Sequence, residues 1–281
     1  MERNIDFSKV GKTTGPFNHP YTEKDMMTYG LGIGAGRDEL EFVYEKNLKI
    51  VPCYGAILVN DPDLIAESWD CGFDPYGSLQ WGFDLHIMAP FKTSGTFVTY
   101  STLRHLYDRG ATKGCLIDVE TKTYDEDGNL LCVNESNELA GNDGGFGGEK
   151  PPFVAVEFPD RAPDYSINDQ IADNQALIYR LTGDVNPLHC DPEFYEAAGF
   201  QKPVLHGMCT AGFACRAVIK ALIQGQPERL TRFKLRCTNL VFPGDKIRTD
   251  IWVMEDGVAH FRTMNVETGK SVLDYGIAEW K

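Results

Sequence analysis

The sequence predicts an α+β fold in which an antiparallel sheet wraps a helix, built twice in one chain. Three observations carry this expectation. Alternating or continuous apolar runs, cut by turn-forming clusters, close each half of the chain. A helix-like stretch precedes each set of runs. Parts of the first half also recur in altered form: Tyr179-Arg180-Leu181-Thr182-Gly183 echoes Tyr29-Gly30-Leu31-Gly32, and Lys202 to Met208 echoes Lys49 to Ala56.

Taken in order, Thr22 to Tyr29 reads as a short helix, with Thr22 as cap and Asp25 three residues on. Strands are expected over Phe97–Leu106, Thr112–Tyr124 and Leu130–Leu139, with Asp125-Glu126-Asp127-Gly128-Asn129 as a hairpin turn. Gly141 to Pro152 is loop chemistry, flexible and then stiffened by prolines. It sets the expected division into an N-terminal module (1–140), a Gly/Pro-rich linker (141–160) and a C-terminal module (161–281), with Phe146 seating the linker. Ile167 to Leu181 reads as a helix capped by Ser166, with Asp169 in its first turn. A second, small and apolar helix runs from Gly207 to about Leu222. Strands follow over Phe233–Phe242, Lys246–Met254, Val258–Val266 and Ser271–Trp280.

Composition narrows the function classes. With 281 residues, 42% hydrophobic and 24% charged, the chain can bury a full core. A net charge of −14 and the lack of a basic run argue against a nucleic-acid surface. No apolar run has the length of a membrane span, and Met1 to Lys12 does not read as a signal peptide. The eight cysteines never form Cys-x-x-Cys, and several sit in apolar runs, so buried free thiols are expected.

The densest chemistry lies in Tyr179 to His189. Gly183 stops the preceding helix and Pro187 forbids a simple continuation, so Asp184, Asn186 and His189 share a bent segment. A carboxylate and an imidazole held there can exchange protons with one reacting atom. The same Asp-x-Asn-Pro is also ordinary turn chemistry. The next stretch, Lys202 to Phe213, supports the functional reading: Gly207 opens a helix whose free amides could hold a thioester oxygen as it gains charge. His206 reads as a hydrogen-bonded structural residue. Gly32-Ile33-Gly34-Ala35-Gly36 closes a helix instead of opening one, which excludes a dinucleotide turn. His19, His86, His105 and His260 lack metal-ligand spacing, the neighbours His189-Cys190-Asp191 sit on one short turn that rarely reaches a single ion, and no Gly-x-Ser-x-Gly elbow occurs.

Together, Tyr179 to His189, Tyr29 to Gly36, Gly144 to Gly148, Asp191-Pro192, Leu205-His206-Gly207 and Phe242-Pro243-Gly244 resemble the MaoC-like, R-specific enoyl-CoA hydratases of the hydratase 2 type. The resemblance spans nearly the whole chain and implies a double hot-dog fold whose degenerate N-terminal module accommodates the acyl chain. It implies reversible hydration of trans-2-enoyl-CoA to (3R)-hydroxyacyl-CoA, with no metal or redox cofactor. In that scheme Asp184 and His189 form the acid–base pair, Asn186 orients the water or the pair, and the Gly207 amide takes the thioester oxygen. Arg109, Arg180, Pro187 and Gly207 fall on the substrate and CoA side. Trp81-Gly82 replaces an expected His-Gly, and Cys237 an expected Phe, at CoA contacts. The resemblance also implies a homodimer and a peroxisomal address, but the last residues, Ala278 to Lys281, are not a Ser-Lys-Leu signal, so the location stays open between peroxisome and cytosol. A hot-dog thioesterase and a non-catalytic acyl-CoA binding module are the competing classes.

Overall fold

The computed structural model describes residues 5–152 and 154–281; residues 1–4, within the opening stretch read above, and Phe153 of the linker lie outside the described residues. Ten strands form one sheet: β1 (Thr13–Tyr21), β2 (Ser78–Ile87), β3 (Gly95–Asp108), β4 (Cys115–Tyr124), β5 (Leu130–Ala140), β6 (Tyr165–Gln170), β7 (Leu230–Cys237), β8 (Lys246–Glu255), β9 (Val258–Asn265) and β10 (Ser271–Trp280). Their order is β1-β3-β4-β5-β2-β7-β10-β9-β8-β6 and every neighbouring pair is antiparallel. The first five strands of that order come from residues 13–140 and the rest from residues 165–280. The seam is β2 against β7, where Arg232 Nε and Nη2 donate to the two carboxylate oxygens of Asp84, each at 2.8 Å. This is the expected α+β, double hot-dog architecture.

The helices are α1 (Glu23–Gly32), α2 (Tyr54–Ile57), α3 (Pro62–Leu64), α4 (Gln175–Tyr179), α5 (Pro192–Ala197) and α6 (Gly207–Ile223). The Thr22 hydroxyl and the Asp25 carboxylate cap α1 reciprocally, as the sequence suggests. The sheet wraps α6, whose residues from Met208 to Ile219 are all buried, and an apolar helix is stable in water only when covered on all sides. Its counterpart in the first half is broken: α2 and α3 are separated by a 3-10 turn and followed by a wide turn over Ile65–Trp69.

One expected helix is absent. Residues 165–170 form the edge strand β6, laddered to β8, and only Gln175–Tyr179 is α-helical, with a 3-10 turn after it. Ser166 therefore caps nothing; its hydroxyl donates to Asp250 at 2.6 Å. Asp169 faces Arg216 instead of a helix end. Alternation of Tyr165, Ile167, Asp169 and Ile171 suits a pleated edge, and the ladder to β8 decides between two weak local preferences.

The two halves are tied through α1 and α6. Gly34 has φ +82°, and an added Cβ would sit 2.1 Å from the Phe213 ring, so only glycine lets the exit of α1 press against α6. Gln175 donates to the Leu31 and Gly32 carbonyls, at 3.0 and 2.6 Å. Arg216 of α6 donates to the Ile33 carbonyl at 2.9 Å and pairs with Glu39 and Asp169. The linker residue Phe146 packs edge-on against Phe7 at 5.2 Å and against the core. All eight cysteines are free and six are buried. No helix among the described residues is long and apolar enough to cross a membrane.

Candidate active site

The segment after α4 is built by turn chemistry that also aims its side chains. Gly183 takes φ +128°, a conformation open to glycine, and turns the chain sharply. Asp184 Oδ1 accepts from the Asn186 amide at 3.2 Å, and Asn186 Oδ1 accepts from the Leu188 amide at 3.0 Å. Pro187 then starts the 3-10 turn that carries His189. The turn chemistry read from this motif is present, and the same turn leaves the Asp184, Asn186 and His189 residues at one cavity.

His189 is 8% exposed, and its Nδ1 lies 2.7 Å from the Val204 carbonyl. A carbonyl only accepts, so Nδ1 carries the proton and Nε2 keeps a lone pair. Burial pushes the His189 pKa down, against the opposing pull of Asp184 and the Val204 carbonyl. His206 stacks on it with ring centroids 3.5 Å apart and donates from Nε2 to the Asp184 carbonyl at 3.2 Å. Burial, and then His189, depress the His206 pKa strongly. Through that bond His206, which precedes α6, ties the start of the helix to the backbone of Asp184. Asp184, His189 and His206 offer ligand atoms within 4.8 Å of one another, a geometry that could hold a metal; Cys190 and Asp191 do not join the cluster.

Asp184, Asn186, His189 and Gly207 line one cavity of about 720 Å³. Gly207 is the first residue of α6, so its amide has no partner within the helix. Around it, an added Cβ would touch Gln80 Cβ at 3.1 Å and Cys237 Sγ at 3.4 Å. The far wall comes from the first half, where Ile65 and Trp69 of the broken helix join Leu79, Gln80, Glu138 and Leu139. Trp81 occupies a β-bulge, since Gln80 pairs with Glu138 and Gly82 with Asn137. It lines this cavity and a neighbouring one of about 480 Å³.

Arg109 lines that second cavity, 4.3 Å from the Trp81 ring centroid, and Arg236 stacks on the same ring at 4.2 Å. Arg180 and Pro187 line neither: Arg180 opens the 3-10 turn near His206, and Pro187 shapes the turn beneath His189. Glu138, only 4% exposed, was not anticipated from the sequence. Its signal is visible in retrospect, because Asn134, Ser136 and Glu138 occupy consecutive core-facing positions of β5 where apolar residues would be ordinary.

Comparison with known proteins places this chain among relatives. Residues 19–140 match the MFE-2 hydratase 2 N-terminal domain, and residues 154–275 match the MaoC like domain. The chain is 36% identical to a probable enoyl-CoA hydratase 2 of Dictyostelium discoideum, covering 98% of this chain and 96% of that protein. It is 34% identical to a peroxisomal enoyl-CoA hydratase 2 of Arabidopsis thaliana, covering 91% and 89%. A crystal structure of a MaoC-like dehydratase from Phytophthora capsici superposes with a TM-score of 0.87 at 28% identity, over 99% of this chain and 98% of that one.

Proposed function

We propose that this chain, which belongs to the MaoC-like family in its enoyl-CoA hydratase 2 form, is an R-specific enoyl-CoA hydratase that adds water reversibly to trans-2-enoyl-CoA. The observation that carries the reading is the shared cavity, in which an unprotonated His189 Nε2, the Asp184 carboxylate and the first amide of α6 converge. A water between Asp184 and His189 gives a proton to the pair as its oxygen bonds C3 of the enoyl group. The electron pair of the double bond moves onto the thioester oxygen, which the Gly207 amide holds. C2 then takes a proton from the pair, and the thioester carbonyl reforms. Asn186, fixed by its own cap bond, helps to hold Asp184 and the water.

Atoms and electrons balance with water alone, so the reading needs neither metal nor redox cofactor, and CoA enters as part of the substrate. Pre-treatment with EDTA followed by gel filtration should leave hydration of crotonyl-CoA unchanged. A rate restored only by added metal would make Asp184, His189 and His206 a metal centre instead. The primary test follows loss of enoyl absorbance with crotonyl-CoA and the configuration of the product, where a (3R)-hydroxyacyl-CoA is expected. Thiol release would identify a thioesterase, a class that the fold alone does not separate from hydratases.

The first half supplies the wall against which the acyl chain lies, and the stack of Arg109, Trp81 and Arg236 supports placing the anionic end of CoA at the second cavity. Arg109→Ala should raise KM for crotonyl-CoA about tenfold, the scale of one lost charge-assisted contact, with kcat nearly unchanged. Crotonyl-pantetheine, which lacks the nucleotide, should show no such change. Arg180 and Pro187 act in this reading by shaping the 179–189 segment. A homodimer and a peroxisomal address belong to the same proposal; sedimentation and imaging of the tagged protein test them.

A further inference from the structure

Glu138 has no part in the hydration step, yet it stands in the same cavity. It pairs across the sheet with Gln80, whose side-chain NH2 donates to Ser136 Oγ at 3.2 Å; Ser136 in turn donates to Glu138 Oε1 at 2.9 Å. The three form a polar relay on the core face of β5 and β2, ending in a carboxyl at the cavity wall beside Leu79, Leu139 and Cys237. Burying polar groups is costly unless each finds a partner. An aliphatic chain passing this wall would offer the carboxyl none.

We propose that Glu138, positioned by Ser136 and Gln80, is a specificity-determining contact that selects enoyl thioesters bearing a hydroxyl group on the acyl chain close to the double bond. The inference rests on the hydration reading above. Burial raises the Glu138 carboxyl to about 8, with the Asp184 charge adding to the rise and hydrogen bonds from Ser136 and Gln80 opposing it. At neutral pH it therefore holds a proton, and its O–H can donate to a substrate oxygen while the carbonyl oxygen accepts. Neutrality also matters for the neighbouring chemistry, because it keeps a second negative charge away from Asp184. Among the apolar lining groups, Ile65, Trp69, Leu79 and Leu139 are available to pack the methylene part of the chain.

The test is a binding comparison that does not depend on turnover. Calorimetry with octanoyl-CoA and with octanoyl-CoA hydroxylated at C4, C5 or C6 should show the best hydroxylated ligand bound on the order of tenfold tighter by the wild type. Glu138→Leu should abolish that preference, while Glu138→Gln, which keeps a donor and an acceptor, should retain most of it. Equal or weaker binding of the hydroxylated series by the wild type overturns the proposal, as does an unchanged preference in Glu138→Leu. Weakening of both ligands alike in that variant would assign Glu138 a merely structural role and also overturn it. Crotonyl-CoA turnover measured in parallel separates the two readings: its absence sinks the hydratase assignment, whereas the binding ratio still decides the role of Glu138.

Discussion

Replacing Asp184 by Asn, or His189 by Gln, is expected to lower hydration of crotonyl-CoA by roughly 10²- to 10⁴-fold, the usual scale for a lost proton carrier. Each change preserves size and shape. Asn at 184 can still accept from the Asn186 amide through its side-chain oxygen, and Gln at 189 can still donate to the Val204 carbonyl. Circular dichroism and melting should therefore match the wild type, and the loss should appear in kcat. The pH profile adds a check that a structural role would not move. Because burial holds the His189 pKa below its ordinary value of 6.5, Nε2 stays unprotonated into mildly acid solution. The acid limb of the wild-type rate should accordingly fall below pH 6.5. Asp184 raises the His189 pKa, so whatever residual rate Asp184→Asn retains should show that limb displaced further toward acid. A variant with near wild-type kcat would show that the pair is wrongly assigned.

Arg216→Leu should be the most damaging substitution away from the cavity. Arg216 is 6% exposed and is the shared cation of Glu39 and Asp169, as well as a donor to Ile33. Its loss leaves two carboxylates in a poorly hydrated pocket without their counter-charge, a change that costs roughly 3–5 kcal/mol in buried pairs. Burial already pushes the Asp169 carboxyl up against the pull of the Arg216 charge, so the variant should also take up a proton there more readily. Urea unfolding gives the stability change. Glu39→Gln, alone and combined with Arg216→Leu, completes a double-mutant cycle that should show strong coupling. Additive losses would mean that the two residues stabilise the fold independently.

The parts of this fold that were legible in sequence are those whose determinants are local. Thr22 and Asp25 announce α1 within four residues, and the small apolar run after Gly207 announces α6. The hairpin strands β4–β5 and β8–β9–β10 carry their own turns. By contrast, β1, β2 and β6 depend on partners distant in the chain: β2 is fixed by β5 on one side and β7 on the other, and β6 by β8. The candidate site divides in the same way. Asp184, Asn186 and His189 were readable because one bent segment carries all three. Glu138 and Gln80 were not, because their alignment follows from strand register and from the bulge at Trp81. The stacking of Arg109 on Trp81, which puts an aromatic face where an imidazole was expected, was not legible either, because it joins β2 to the residue just after β3, well separated in the chain.

The interrupted helix of the first half has a consequence for inheritance. Between Tyr54 and Trp69 the chain gives up a continuous helix, and Ile65 and Trp69 of that stretch face the cavity together with Gln80 and Glu138. The proton carriers proposed here lie entirely within residues 184–207 of the other half. If the acyl chain lies against the first half as proposed, a lineage carrying this chain can vary which acyl groups it processes through residues in one half, while the half proposed to move protons stays untouched. In a dimer of single modules, one sequence would have to serve both purposes, and every such change would also alter the proton-moving copy.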